Sequence, residues 1–180
     1  MKYVVIGVIA LLVLLVIWFI STSNGIKTAR LKVKEALSGI DVALTKRYDV
    51  LTKMLDVVKG YQAYERETLT QLVRLRSGMS MNERQEASNR MDQLSGQIRL
   101  LAENYPELRS SQNFAELQRS IVDVEEHLQA SRRLYNANVT AYNNKIIIFP
   151  NSIVAGMMGA TQEQLFEADA AKRQDVKMTF

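Results

Sequence analysis

The 180 residues include no cysteine, one histidine, two prolines and one tryptophan. Without cysteine the chain can hold no disulfide, no zinc thiolate site and no thiol nucleophile. A single histidine is too few for the paired Glu-x-x-His sets of di-metal helical bundles, and the residue three before His127 is Val124. Asp123 and His127 share a helical face but bring no further ligands, and the adjacent Glu125 and Glu126 point in different directions, as solvated charges do. There is no glycine-rich phosphate loop, no nucleophile elbow and no Ser/His/Asp set. These absences lead us to expect neither an enzyme nor a cofactor or metal site.

What the chain does have begins at its amino-terminal end. From Tyr3 to Ile20, "YVVIGVIALLVLLVIWFI", no charged residue occurs. At about 1.5 Å per residue this run reaches roughly 27 Å, close to the ~30 Å hydrocarbon core of a bilayer. Ser21-Thr22-Ser23 offers small residues where a signal peptidase cuts, but the apolar stretch is longer than a signal peptide needs and Lys2 is its only basic side chain. An uncleaved single-pass anchor over residues 1–23 is the expectation.

Charge is unevenly distributed. Between Lys27 and Lys59 stand eight basic and four acidic residues, whereas fourteen basic and fifteen acidic residues lie beyond. The densest part is Lys27, Arg30, Lys32 and Lys34, with no acid among them. Beside a membrane such a patch attracts anionic headgroups at about 1 kcal/mol per cation; the alternative is an ordinary solvated helix face. The same cations outnumber Lys2 and the terminal amine, so the positive-inside rule places the bulk of the chain in the cytoplasm rather than the periplasm or outside. Nucleic acid is not an expected partner, because the rest of the chain is neutral and lacks a basic stripe interleaved with stacking aromatics.

Past the anchor, apolar residues recur in three- and four-residue steps, the helical period. They fall at Val33, Leu37, Ile40, Leu44, Tyr48, Leu51, Leu55 and Val58, and drift on through Leu69, Leu72 and Leu75 toward Gly78. Gly25, Gly39 and Gly60 are weak points in this helix. Ser80 with Glu83 fits a capping box for a second helix, carrying Ala87, Met91, Leu94, Ile98, Leu101 and Tyr105 until Pro106. A polar connection, "PELRSSQ", leads to Asn113 and Glu116, which repeat the capping pattern for a third helix. Its seam is Phe114, Leu117, Ile121, Val124, Leu128, Ser131, Tyr135, Val139, Tyr142, Ile146 and Phe149, ended by Pro150. The short apolar "SIVAGMMGA" follows, then a brief helix capped by Thr161 and Gln164 through Phe166, then a tail. The expected fold is all-α: a transmembrane helix followed by an antiparallel bundle of three long helices plus a short fourth, the bundle over 24–160 and the short helix and tail over 161–180.

Polar residues crowd the seams. In the first helix Asp41, Arg47 and Asp49 surround Ile40, Leu44 and Tyr48; in the third, Arg132, Arg133, Asn136 and Asn143 flank Tyr135 and Tyr142. Antiparallel packing would bring the two blocks together near the membrane. Asparagine repeated at heptad spacing specifies pairing at some cost in stability, so these seven polar residues with Tyr48, Tyr135 and Tyr142 form a candidate register or interaction network. If Asn136 and Asn143 serve pairing, leucine at both positions keeps or raises thermal stability while altering assembly. The other reading is half-solvated flanks.

The combination Arg47-Tyr48-Asp49, Val58-Lys59-Gly60-Tyr61, Tyr105-Pro106, Asn113-Phe114, Arg132-Arg133-x-Tyr135-Asn136 and Phe149-Pro150, with a closing "VKMTF", resembles the LemA family of bacterial membrane-anchored proteins. The resemblance covers nearly all of the chain after the anchor. It implies an amino-terminal transmembrane helix and an antiparallel helical bundle, and supplies no defined activity. Family members usually carry Pro-Asn where Thr52-Lys53 stand here, and a His-Glu near Tyr64-Glu65; without that proline the first helix has no forced kink.

The expected function is that of a non-enzymatic membrane protein acting by self-association or by scaffolding other membrane proteins. An extracytoplasmic sensor or ligand-binding module is the alternative.

Overall fold

The computed structural model describes residues 1–59 and 78–167. The expected seam positions Leu69, Leu72 and Leu75, the weak point Gly60, the motif residue Tyr61, Tyr64-Glu65 and the closing "VKMTF" lie outside these residues. Five helices are described, α1 (Lys2–Lys59), α2 (Met81–Asn104), α3 (Pro106–Ser110), α4 (Gln112–Ile147) and α5 (Asn151–Met157), with no strand among the described residues. The fold is all-α.

The described residues form two compact units. The first comprises Met1–Leu37 and Leu134–Leu165, the second residues 38–59, 78–133 and 166–167. Helices α1 and α4 each contribute to both.

In the first unit α1 is unbroken through Gly25, so the apolar run and the segment that follows form one helix. The run from Tyr3 to Ile17 is exposed throughout, which distinguishes it from the core helix of a soluble protein. It is long and apolar enough to cross a membrane. A covered stripe begins within its last turn: Trp18 is half-buried, and Thr22, Ile26, Val33 and Ala36 are buried. These residues repeat at helical spacing, and on the returning α4 Tyr135, Val139, Tyr142 and Ile146 are buried in the same unit. Gly25, Ala29 and Lys32 line a common groove with Lys145, Ala141 and Asn138, an antiparallel register. A methyl group on Gly25 would stand 2.6 Å from Lys145 Nζ, so glycine here lets the lysine lie across α1.

In the second unit α1 buries Ile40, Ala43, Leu44, Arg47, Leu51, Met54, Leu55 and Val58. Helix α2 starts where expected, on a complete capping box: the Glu83 amide donates to Ser80 Oγ and the Ser80 amide to Glu83 Oε2. Its buried face is Ala87, Ser88, Met91, Leu94, Ile98 and Ala102. The expected Leu101 is only half-buried, because a strict 3.5-residue spacing drifts about 20° per heptad on a straight helix and brings Ala102 inward instead. "PELRS" is a helix rather than a loop, with Pro106 at its first position and Leu108 fully buried. Helix α4 starts at Gln112, so Asn113 lies inside it rather than capping it. Phe114, Ile121 and Leu128 carry its buried stripe in seven-residue steps.

Residues 161–167 differ from the expected short helix: they are neither helix nor strand, and the short helix is α5, earlier in the chain. Phe149 also departs from the expected seam. Helix α4 stops at Ile147, so Phe149 leaves the stripe and is 76% exposed.

Candidate functional site

The two polar blocks of the sequence do different things. In the first unit, the tyrosines and asparagine of α4 hold the chain's own non-helical segment at 161–164. Tyr142 and Tyr135 are core residues whose rings fill the seam, and a buried phenol needs a partner for its hydroxyl. Tyr142 Oη donates to the Thr161 carbonyl at 3.0 Å, and Tyr135 Oη donates to the Gln164 carbonyl at 2.8 Å. Asn143 engages Glu163 twice: its Nδ2 donates to the Glu163 carbonyl and its Oδ1 accepts from the Glu163 amide, both at 2.9 Å. A segment outside helix and strand lacks the regular backbone partners of either, and these side chains supply them. Leucine in place of Asn143 would pack, but would leave both groups of Glu163 without partners. Asn136, half-buried on the same helix, is also engaged.

Clamping the Glu163 backbone places its carboxylate 3.4 Å from Arg30 Nε. One cation of the basic patch is therefore paired, while Lys27, Lys32 and Lys34 are exposed on α1.

In the second unit Arg47 occupies a core position, seven residues from both Ile40 and Met54, rather than a flank. Its side chain is 4% exposed, and Nη2 contacts Asp92 Oδ1 at 2.5 Å and Glu125 Oε2 at 2.9 Å. Its Nε and Nη1 are buried without a hydrogen-bond partner. Arg132 approaches the same two carboxylates: Nη2 donates to Ser88 Oγ, and the guanidinium lies 4.7 Å over the Phe166 ring. Burial pushes the Arg132 guanidinium below its ordinary pKa range, Asp92 and Glu125 draw it back up, and Arg47 pushes it down again. Two cations thus share two anions between α1, α2 and α4. Arg132 Nε has no hydrogen-bond partner, so the cluster is imperfectly satisfied.

Asp41 joins a separate pair, accepting from Arg84 Nε at 2.6 Å and Nη2 at 3.0 Å. Tyr48 is half-buried and its carbonyl accepts from Thr52 Oγ1, whereas Asp49 and Arg133 are exposed and join neither cluster. Of the expected network, then, Arg47 meets Arg132 through shared carboxylates. Tyr135, Tyr142 and Asn143 meet the segment at 161–164 instead.

Asp92, Glu125, Ser88, Glu163 and Phe166 belong to these sites and were absent from the expected set. Arg47 carried a sequence signal, its seven-residue spacing from Ile40 and Met54. No group of three or more His, Asp or Glu residues is placed to hold a metal among the described residues. The half-buried carboxylates Asp92 and Glu125 are engaged by Arg47.

Residues 36–180, which carry most of the helices and the Arg-Tyr seam, match the family model described as LemA family. The chain belongs to the LemA family. It is 28% identical over 163 residues to Protein LemA of Metamycoplasma hominis, covering 88% of this chain and 74% of that protein. The family match begins beyond the apolar run and beyond Lys27, Arg30, Lys32 and Lys34. Apart from Arg30, the residues of both clusters described above lie within the matched span.

Proposed function

We propose that this LemA family member is a non-enzymatic membrane protein that anchors a helical bundle at the bilayer and acts there by self-association or by scaffolding other membrane proteins. One observation carries the reading: the interior polar groups are committed to holding the protein's own elements. Arg47, Asp92, Glu125 and Arg132 tie helices together, and Tyr135, Tyr142 and Asn143 hold residues 161–164.

The covered stripe beginning at Trp18 supports an uncleaved anchor, since cutting after Ser23 would remove both Trp18 and Thr22 from the folded seam. The exposed cations Lys27, Lys32 and Lys34 suit a lipid-headgroup surface just beyond the span, and the positive-inside rule assigns the bundle to the cytoplasm. Leu31 and Leu134, both exposed on the first unit, are apolar surface suited to contact with a second copy. Crosslinking in cells from single cysteines placed at these two positions tests the proposal. Chain-to-chain adducts are expected, and their absence under conditions that label both thiols would refute self-association.

A groove of about 370 Å³ in the second unit favours the alternative of a ligand-binding module. It is lined by Arg99, Arg109 and Glu103 beside Met54, Ile121 and Val122. Saturable binding of a small anion, lost on Arg109→Ala with the fold intact, would support that reading.

A further inference from the structure

From Ile146 to Gln162 the chain contains no charged residue, with Lys145 on one side and Glu163 on the other. The segment comprises the end of α4, a turn and α5, all in the first unit. Its side chains divide in two directions. Ile146, Val154 and Ala155 are buried, whereas Ile147, Ile148, Phe149, Ile153 and Met157 are between 53% and 76% exposed. Five large apolar side chains on one turn form an unusual surface for water.

The position of this turn identifies what covers it. Gly25 faces Lys145, Ala29 and Ala141 share a groove, and so do Lys32 and Asn138. Phe149 follows Lys145 by four residues and Ser21 precedes Gly25 by four, so the antiparallel register brings Phe149 to about the level of Ser21. That is one residue beyond the apolar run, and the covered stripe on α1 begins lower still, at Trp18. The turn therefore lies where the candidate span leaves the hydrocarbon.

Its backbone is suited to that depth. The amides of Ile148, Ser152 and Ile153 donate to the carbonyls of Asn144, Ile148 and Pro150, and those of Met158, Gly159 and Ala160 to Val154, Gly156 and Ala155. Few donors are left to need water. Lys145 and Lys27 stand on the aqueous side of the turn, the arrangement of cations above an interfacial apolar surface.

We propose that the α4–α5 turn is a second membrane-contact element, inserted through Ile147, Ile148, Phe149, Ile153 and Met157 into the acyl–headgroup boundary beside the α1 span. The occupant of this surface is the lipid bilayer. Two attachments side by side fix the rotation of the bundle about the span, which a single helix leaves free. The inference rests on α1 crossing the membrane.

The absence of cysteine makes the test direct. Single cysteines, Leu12→Cys, Phe149→Cys, Met157→Cys and Leu100→Cys, are labelled with a nitrobenzoxadiazole dye. The full-length protein is then reconstituted in vesicles of phosphatidylcholine and phosphatidylglycerol whose acyl chains are brominated near the headgroup or near the bilayer centre. Dyes at 149 and 157 should be quenched by shallow bromines and shielded from aqueous iodide; the dye at 12 by deep bromines; and the dye at 100 by iodide alone. Iodide access at 149 and 157 with deep quenching at 12 would overturn the proposal while leaving the span intact. An unquenched dye at 12 would overturn the span and the proposal with it. Shielding at 149 and 157 that bromines do not quench, and that fades as protein is diluted in lipid, would assign the surface to a second copy and overturn lipid contact.

Discussion

Replacing Asn143 with alanine removes both hydrogen bonds that hold the Glu163 backbone while leaving the buried Tyr142 ring beside it unchanged. Each bond contributes about 1 kcal/mol net, so opening of residues 161–164 becomes easier by about 2 kcal/mol, a roughly 30-fold rise in the open population. The Glu163 amide reports this directly, because its own donor bond ends on Asn143 Oδ1. Native-state hydrogen exchange should show its protection falling by about that factor, with the amides at the centre of α4 unaffected. Asn143→Asp should fall between: it keeps an acceptor for the amide, loses the donor to the carbonyl, and adds a negative charge near the Glu163 carboxylate. Unchanged exchange at Glu163, or an equal loss of protection along all of α4, would refute the assignment of Asn143 as a clamp. The expectation from sequence ran the other way for this residue, with leucine keeping or raising stability.

Three further outcomes follow from the second unit. Arg47→Met leaves Asp92 and Glu125 without their closest cation and should cost about 3 kcal/mol, read as a lower urea midpoint; Arg47→Met with Asp92→Leu should recover part of the loss. Phe166→Leu removes the ring under Arg132 and should cost about 1 kcal/mol in the same assay. Ser80→Ala deletes the cap of α2 and should cost about 1 kcal/mol, with faster exchange at the Glu83 amide.

The helices were readable because their apolar spacing and end signals act locally. Ser80 with Glu83 marked a real start, and Pro106 a real stop. The segment at 161–167 was not readable for the opposite reason. Thr161 and Gln164 look like a cap in sequence, but the carbonyls of this segment are taken by Tyr142, Asn143 and Tyr135, far away along the chain. The question of why asparagine and tyrosine repeat on α4 therefore has a concrete answer at Tyr135, Tyr142 and Asn143, and the answer lies in backbone groups with no pattern of their own. For Arg47 a buried network and a half-solvated flank were both open: its charge argued for solvent, its spacing from Ile40 and Met54 for the core. Two carboxylates on other helices settled that conflict. Phe149 was misread because the seam was extended past Ile147, where α4 ends.

In the proposed function the folded bundle is tied to the membrane by α1 and associates there with other copies or partners. Native mass spectrometry of the full-length protein released from lipid nanodiscs, prepared over a range of protein-to-lipid ratios, tests this most directly. Complexes containing more than one chain, persisting at low protein-to-lipid ratio, are the predicted result. Single chains at every ratio, or protein recovered free of lipid, would contradict it.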